Sequence, residues 1–289
     1  MRDQADELRQ LVLRGMRKSI PKGLAPPKLI VVAGGKGGVG ATTLAVNLAI
    51  GLAREGRPTI LVDADLAGGD AALLCRLEES YSVVDVLKGN LSVHEALQLG
   101  PAGVQVLPGA WGAGQVVECT PTAQERLLWE LKGLGAFAEY VILDVGSSLN
   151  RVVKRFWQAA DLLLLVTTHD EVSVMDAYAA VKVMLADGAS KAVHTVVNRV
   201  EQDSAAEVHD RLARACRRFL GLRLQSAGHV SNDDRVVDAG AARKPLLIDY
   251  PDAMAARQIE AIASRLVLAA TAGDEARLAA ESAPPSLSA

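Results

Sequence analysis

Five glycines fall within seven positions, at Gly34, Gly35, Gly37, Gly38 and Gly40, and the apolar run Leu29-Ile30-Val31-Val32-Ala33 leads straight into them. That run reads as a strand buried on both faces. Beyond the loop, a helical pattern runs from Ala41 to about Glu55, and Gly56-Arg57-Pro58 stops it. Glycine backbones turn their N–H groups inward and approach an anion closely. The helix N-terminus behind them adds further donors and the positive end of its dipole. The unit is therefore expected to cradle phosphate, with the Thr42 hydroxyl placed to ligate Mg²⁺.

The rest of the chain repeats the alternation. Thr59–Asp63 reads as a second buried strand ending in an acid, and Val104–Leu107, Tyr140–Asp144, Leu162–Thr167 and His194–Val197 are further strand candidates. Helical patterns at Glu125–Lys132, Arg151–Ala159, Val174–Ala186 and Ala205–Leu220 separate most of them. Such an order predicts an α/β fold, a single-domain P-loop NTPase with a mostly parallel sheet and helices on both faces. Composition agrees: 50% of the 289 residues are hydrophobic but only 3% aromatic, so the core must be Val, Leu, Ile and Ala. Residues 1–20 place Ala5, Leu8, Leu11, Val12 and Met16 at helical spacing, which predicts an amphipathic partner-binding helix. Residues 21–28 read as a Pro/Gly linker, 29–270 as the main domain, and 271–289 as a helix end and tail.

The charge and the cysteines set limits. A formal net charge of −3 gives no global support for nucleic-acid binding. Cys75, Cys119 and Cys216 are too far apart for a zinc site or a disulfide framework, so reduced cytoplasmic thiols are expected. The N-terminus is too polar for a secretory segment, and no apolar run approaches the roughly 18 residues of a membrane span.

The strict pattern G-x-x-x-x-G-K-[ST] is met by Gly35, Gly40 and Thr42, but Ala41 stands where its lysine would be. Losing a charged hydrogen bond of roughly 1.5–3 kcal/mol weakens phosphate binding by about ten- to a hundredfold. The backbone donors and Mg²⁺ remain. The segment Lys36-Gly37-Gly38-Val39-Gly40-Ala41-Thr42-Thr43 resembles the deviant Walker A loop of the MinD/ParA family, KGGxGK[TS]. The resemblance implies that Gly35 to Thr43 hold ATP and that Lys36 reaches the phosphates on the other subunit of an ATP-dependent dimer. It also implies that Asp63 of Asp63-Ala64-Asp65 approaches the Mg²⁺ shell with Thr42 and Asp144, and that Asp65 positions the attacking water. Asn198 resembles the residue that hydrogen-bonds the adenine edge. Gly228–Ala239 resembles a second adenine-side loop, with Ser231 in place of the usual proline.

Within that family the sequence is similar to the FlhG group (also FleN or YlxH), which controls flagellum number and placement. Asp3-Gln4-Ala5-Asp6-Glu7-Leu8-Arg9 resembles its DQAxxLR segment, which implies an FlhF-type GTPase and flagellar basal-body proteins as partners. The C-terminal pattern Ile259, Ile262, Leu266 and Leu268 lacks Phe, Trp and Lys and reads as a helix packed on the domain. Membrane contact is expected to be weak or absent, at most peripheral at the inner face. Two other readings stay open. Ala41 favours a nucleotide-binding scaffold with little or no hydrolysis. The row Arg211, Arg214, Arg217, Arg218 and Arg223 would suit a ParA-like DNA-binding partition ATPase, although a solvated helix face accounts for it and DNA binding is not expected.

Overall fold

The computed structural model describes residues 25–66, 68–78, 81–109, 120–148, 150–185 and 192–282. The N-terminal segment up to residue 24, Cys119 and the tail from 283 lie outside the described residues. The first half of the domain runs β1 (Lys28–Gly34), α1 (Ala41–Arg54), β2 (Thr59–Asp63), α2 (Ala71–Leu74), α3 (Val83–Lys88), α4 (Val93–Ala96), β3 (Gln98–Leu99) and β4 (Gln105–Leu107). The second half runs α5 (Pro121–Lys132), β5 (Tyr140–Asp144), α6 (Arg151–Ala159), β6 (Leu162–Thr167), α7 (Glu171–Leu185), β7 (Val193–Asn198), α8 (Gln202–Leu220), β8 (Leu224–Val230), α9 (Asp234–Ala241), α10 (Leu246–Asp249) and α11 (Met254–Ser282).

The eight strands form one sheet in the order β3-β4-β2-β5-β1-β6-β7-β8. Only the β3–β4 pair is antiparallel. Alternate residues of a strand face opposite sides, and β1 therefore feeds two cores. Leu29, Val31 and Ala33 pack with α3, α5, α6, α7 and α8. Ile30 and Val32 pack against α1 and α11. Helix α1 is buried nearly all round, and Leu44, Leu48 and Leu52 each contribute about 1.5–3 kcal/mol by leaving water. The carboxyl ends of β2, β5, β1 and β6 meet at one edge, the usual ligand crevice of an open α/β sheet.

The strands and long helices fall where the sequence predicts, with differences that have local causes. Helix α5 begins at Pro121, before Glu125, because the Thr120 side chain accepts from the Ala123 N–H at 3.2 Å and Pro121 suits the first helical position. Helix α7 begins at Glu171 because Asp170 caps it, its carboxylate accepting from the Ser173 N–H at 2.9 Å. On α11, Ile259, Ile262 and Leu266 are buried as expected, but Leu268 is 70% exposed. Two residues on from Leu266, it points to the other side of the helix. Strand β8 was not expected. Its Gln225 and Ser226 face out and it pairs with β7 through a register shift, so its apolar alternation is weak. The span Gly228–Ala239 is consequently not one loop: it ends β8, turns at Ser231–Asp233 and enters α9.

Candidate functional site

The glycine loop is fastened at its start by the neighbouring strands. Gly34 N–H donates to the Gly146 carbonyl at 2.8 Å, and Gly35 N–H donates to the Val166 carbonyl at 3.3 Å. Gly35 lies against the backbone of α7: a Cβ there would sit 2.6 Å from the Ala177 Cα and closer still to its nitrogen. At its far end the loop passes into α1 through Gly40, left-handed at φ 89°. No side chain caps α1, which leaves its first-turn amides directed at the crevice. Beside them the Ala41 side chain is buried with Val39 in the α1-side core, so a methyl group stands where the strict motif has an ammonium.

Asn198 reaches this loop from the end of β7. Its Nδ2 donates to the Val39 carbonyl at 2.8 Å, and its Oδ1 accepts the Arg199 N–H at 2.9 Å. A Cβ on Gly40 would collide with that amide at 2.5 Å. The side chain expected to face adenine is, in this conformation, a clasp on the loop's backbone.

Three of the expected acids converge on the other side of the loop. Asp63 and Asp144 end adjacent strands in register, and Asp65 adds its charge to both. Asp63 is fully buried and both its oxygens are occupied, by the Asp65 N–H at 3.2 Å and the Ala71 N–H at 3.0 Å. Gly69 and Gly109 close round it, since a Cβ on either would lie within 2.7 Å of the carboxylate. Burial first, and the charge of Asp144 second, push Asp63 up to about 8. Asp144 is also fully buried. Its Oδ1 accepts the Gly146 N–H at 3.1 Å, and burial raises the carboxyl to about 6 against the opposing pull of the neighbouring Thr42 hydroxyl and that amide. Its Oδ2 has no hydrogen-bond partner among the described residues.

A buried carboxylate oxygen without a partner costs free energy unless something cationic meets it. Here it lies beside a hydroxyl and a row of amide donors, which is the donor chemistry of a Mg²⁺–phosphate site. Among the described residues no three His, Cys, Asp or Glu side chains form a metal cage of their own. A Mg²⁺ ion at Thr42 and Asp144 would therefore complete its shell with phosphate and water, as that ion prefers.

Lys36 stands apart from this pocket, on the exposed lip formed with Gly37 and Gly38. Its Nζ is 3.7 Å from Asp170 Oδ1. Asp170 is a residue the sequence reading missed, although an Asp three positions before Ser173 at a helix start is a capping signal. The arginines from Arg211 to Arg223 are all exposed along α8 and its exit, and Arg211 lines a cleft with His169, Arg199 and Asn232 just beyond the ends of β6 and β7.

A phosphate-accepting glycine loop between a central strand and a buried helix, with acids on the adjoining strand ends, defines a nucleotide-binding α/β protein of the P-loop class. The family model of the CobQ/CobB/MinD/ParA nucleotide binding domain matches residues 30–246, and the chain belongs to that family. It is 29% identical over 242 residues to the antiactivator FleN of Pseudomonas aeruginosa, covering 83% of this chain and 86% of FleN. It is 24% identical to the flagellum site-determining protein YlxH of Helicobacter pylori, covering 92% and 91% of the two chains. The structure of the septum site-determining protein MinD of Pyrococcus horikoshii, complexed with Mg-ADP, superposes with a TM-score of 0.70 at 21% identity, covering 83% and 96%. That last likeness is one of fold. Among the described residues no helix is long and apolar enough to cross a membrane.

Proposed function

We propose that the protein binds ATP with Mg²⁺ in the Gly34–Thr43 cradle, dimerises through the bound nucleotide, and acts as a spatial regulator of flagellum number or placement. The observation that carries the binding reading is the unpartnered Oδ2 of Asp144, buried beside Thr42 at the mouth of the cradle. In this reading the loop amides and the first turn of α1 hold the phosphates, Thr42 and Asp144 hold Mg²⁺, and Asp63 stands behind them. Bound there, Mg²⁺ offsets phosphate charge and polarises the terminal phosphoryl group. Asp65 orients the water. Lys36 from each subunit contacts the phosphates held by the other. The flagellar role is supported by the similarity to FleN and YlxH, and an FlhF-type GTPase would be met by residues 1–20.

Light scattering with ATP and Mg²⁺, or a nonhydrolysable analogue, tests the mechanism. The parent is expected to dimerise and Lys36→Ala to remain a folded monomer. Equal dimerisation of the two would refute the role of Lys36. A second reading, a nucleotide-binding scaffold with little turnover, is favoured by the buried methyl group of Ala41. Turnover in the parent against Ala41→Lys separates the two: in the scaffold reading only the lysine variant hydrolyses ATP.

A further inference from the structure

Lys36 is not loose on its lip. Its ammonium lies 3.7 Å from a carboxylate that is itself fixed at two points. Asp170 Oδ1 accepts the Ser173 N–H at 2.9 Å, and Oδ2 accepts the Thr168 hydroxyl. The acid therefore has no side-chain freedom left to lose when a cation meets it. Those two hydrogen bonds and then Lys36 hold the Asp170 carboxyl below its ordinary range. The loop and α7 are brought close by the bare Gly35, where a Cβ would meet the backbone of Ala177. An ammonium at the start of α7 also faces the positive end of that helix dipole, and the Asp170 charge is what makes the position tolerable.

We infer that Asp170 is a positioning residue for Lys36: it holds the ammonium on its own protomer and sets how much ATP is required before Lys36 is released to a second subunit. The inference rests on the dimerisation reading above. One ammonium cannot keep this contact and also lie on phosphate in another subunit, so the pair must open as the dimer forms. Both groups are close to half exposed, and a pair of that kind is weak. Its loss favours release by about two- to fivefold per lysine. Two lysines are released per dimer, so the dimerisation constant changes by about the square of that factor.

The test uses the full chain with ATP and Mg²⁺, following dimer formation by light scattering or sedimentation. Asp170→Asn removes the charge but keeps a capping side chain for α7, so the thermal midpoint of the nucleotide-free protomer should stay near that of the parent. It should dimerise at lower ATP and lower protein concentration than the parent. The gap should narrow as salt is added, and Asp170→Glu, which restores the charge, should move back toward the parent. Dimerisation of Asp170→Asn at the parental midpoint, or only at higher ATP, would overturn the assignment while leaving the dimer reading intact. A parent that stays monomeric with ATP would refute both.

Discussion

Asp63 offers a direct test of the electrostatics of the crevice. Its carboxyl is raised from an ordinary 3.8 to about 8, chiefly by burial and then by Asp144. A raised folded-state value means that folding takes up a proton between those limits. The stabilisation is complete below the unfolded value and is lost as pH rises through the folded one. One proton corresponds to about 1.4 kcal/mol per pH unit, so the nucleotide-free protein should lose about 1.5–2 kcal/mol between about pH 6.5 and pH 8. That window lies above most of the titration of Asp144, raised to about 6. Its lower end overlaps the buried His194 and half-buried His209, whose lowered values act with the opposite sign, so the contribution of Asp63 is read as the difference between the parent and a variant that lacks only its carboxyl. Urea unfolding across the window, with chelator present, gives the slope. Asp63→Asn cannot titrate and can accept only one of the two amides now bound to Asp63, so it should be offset downward by about 1–3 kcal/mol. Its stability should nevertheless lack the parent's fall across the window. Equal slopes in parent and variant would refute the reasoning.

Two further outcomes follow from the loop's packing. Gly35→Ala should destabilise by about 3 kcal/mol or more, because the clash is with helix backbone that has no rotamer to yield; a thermal midpoint equal to the parent's would contradict the close approach. Asn198→Ala should cost about 1–2 kcal/mol and speed hydrogen exchange in residues 36–42, since the Val39 carbonyl loses its donor; unchanged exchange there would mean the clasp is dispensable.

The central fold was legible because β1, β2, β5 and β6 are built on continuous apolar runs bounded by polar or glycine residues. Buried parallel strands leave that mark. Strand β8 left none, since only three of its seven residues are buried and its pairing with β7 slips register, and β3 is too short for any pattern. The glycine loop and Asp144 could be found from residue type and spacing alone. What escaped was the second layer of the site. That Asn198 binds loop backbone, and that Gly69 and Gly109 enclose Asp63, depends on chain segments distant in sequence meeting in space. Asp170 was closer to reach, because its capping role is local. Its pairing with Lys36 required the packing of α7 on Gly35, which no local pattern encodes.

Helix α1 is locked along its length. Asn47 Nδ2 donates to the Thr43 carbonyl at 2.7 Å, its Oδ1 accepts the Leu247 N–H at 2.9 Å, and α11 lies across the outer side. A shift of this helix would have to carry α10 and α11 with it and open a core. The phosphate-facing end of the domain therefore behaves as a stator. Any change that nucleotide imposes on the shape of the molecule has to be expressed in parts not bolted to that block, such as the exposed lip at Lys36, Gly37 and Gly38. Variants that alter signalling without altering nucleotide affinity should be found on that lip and be rare along α1.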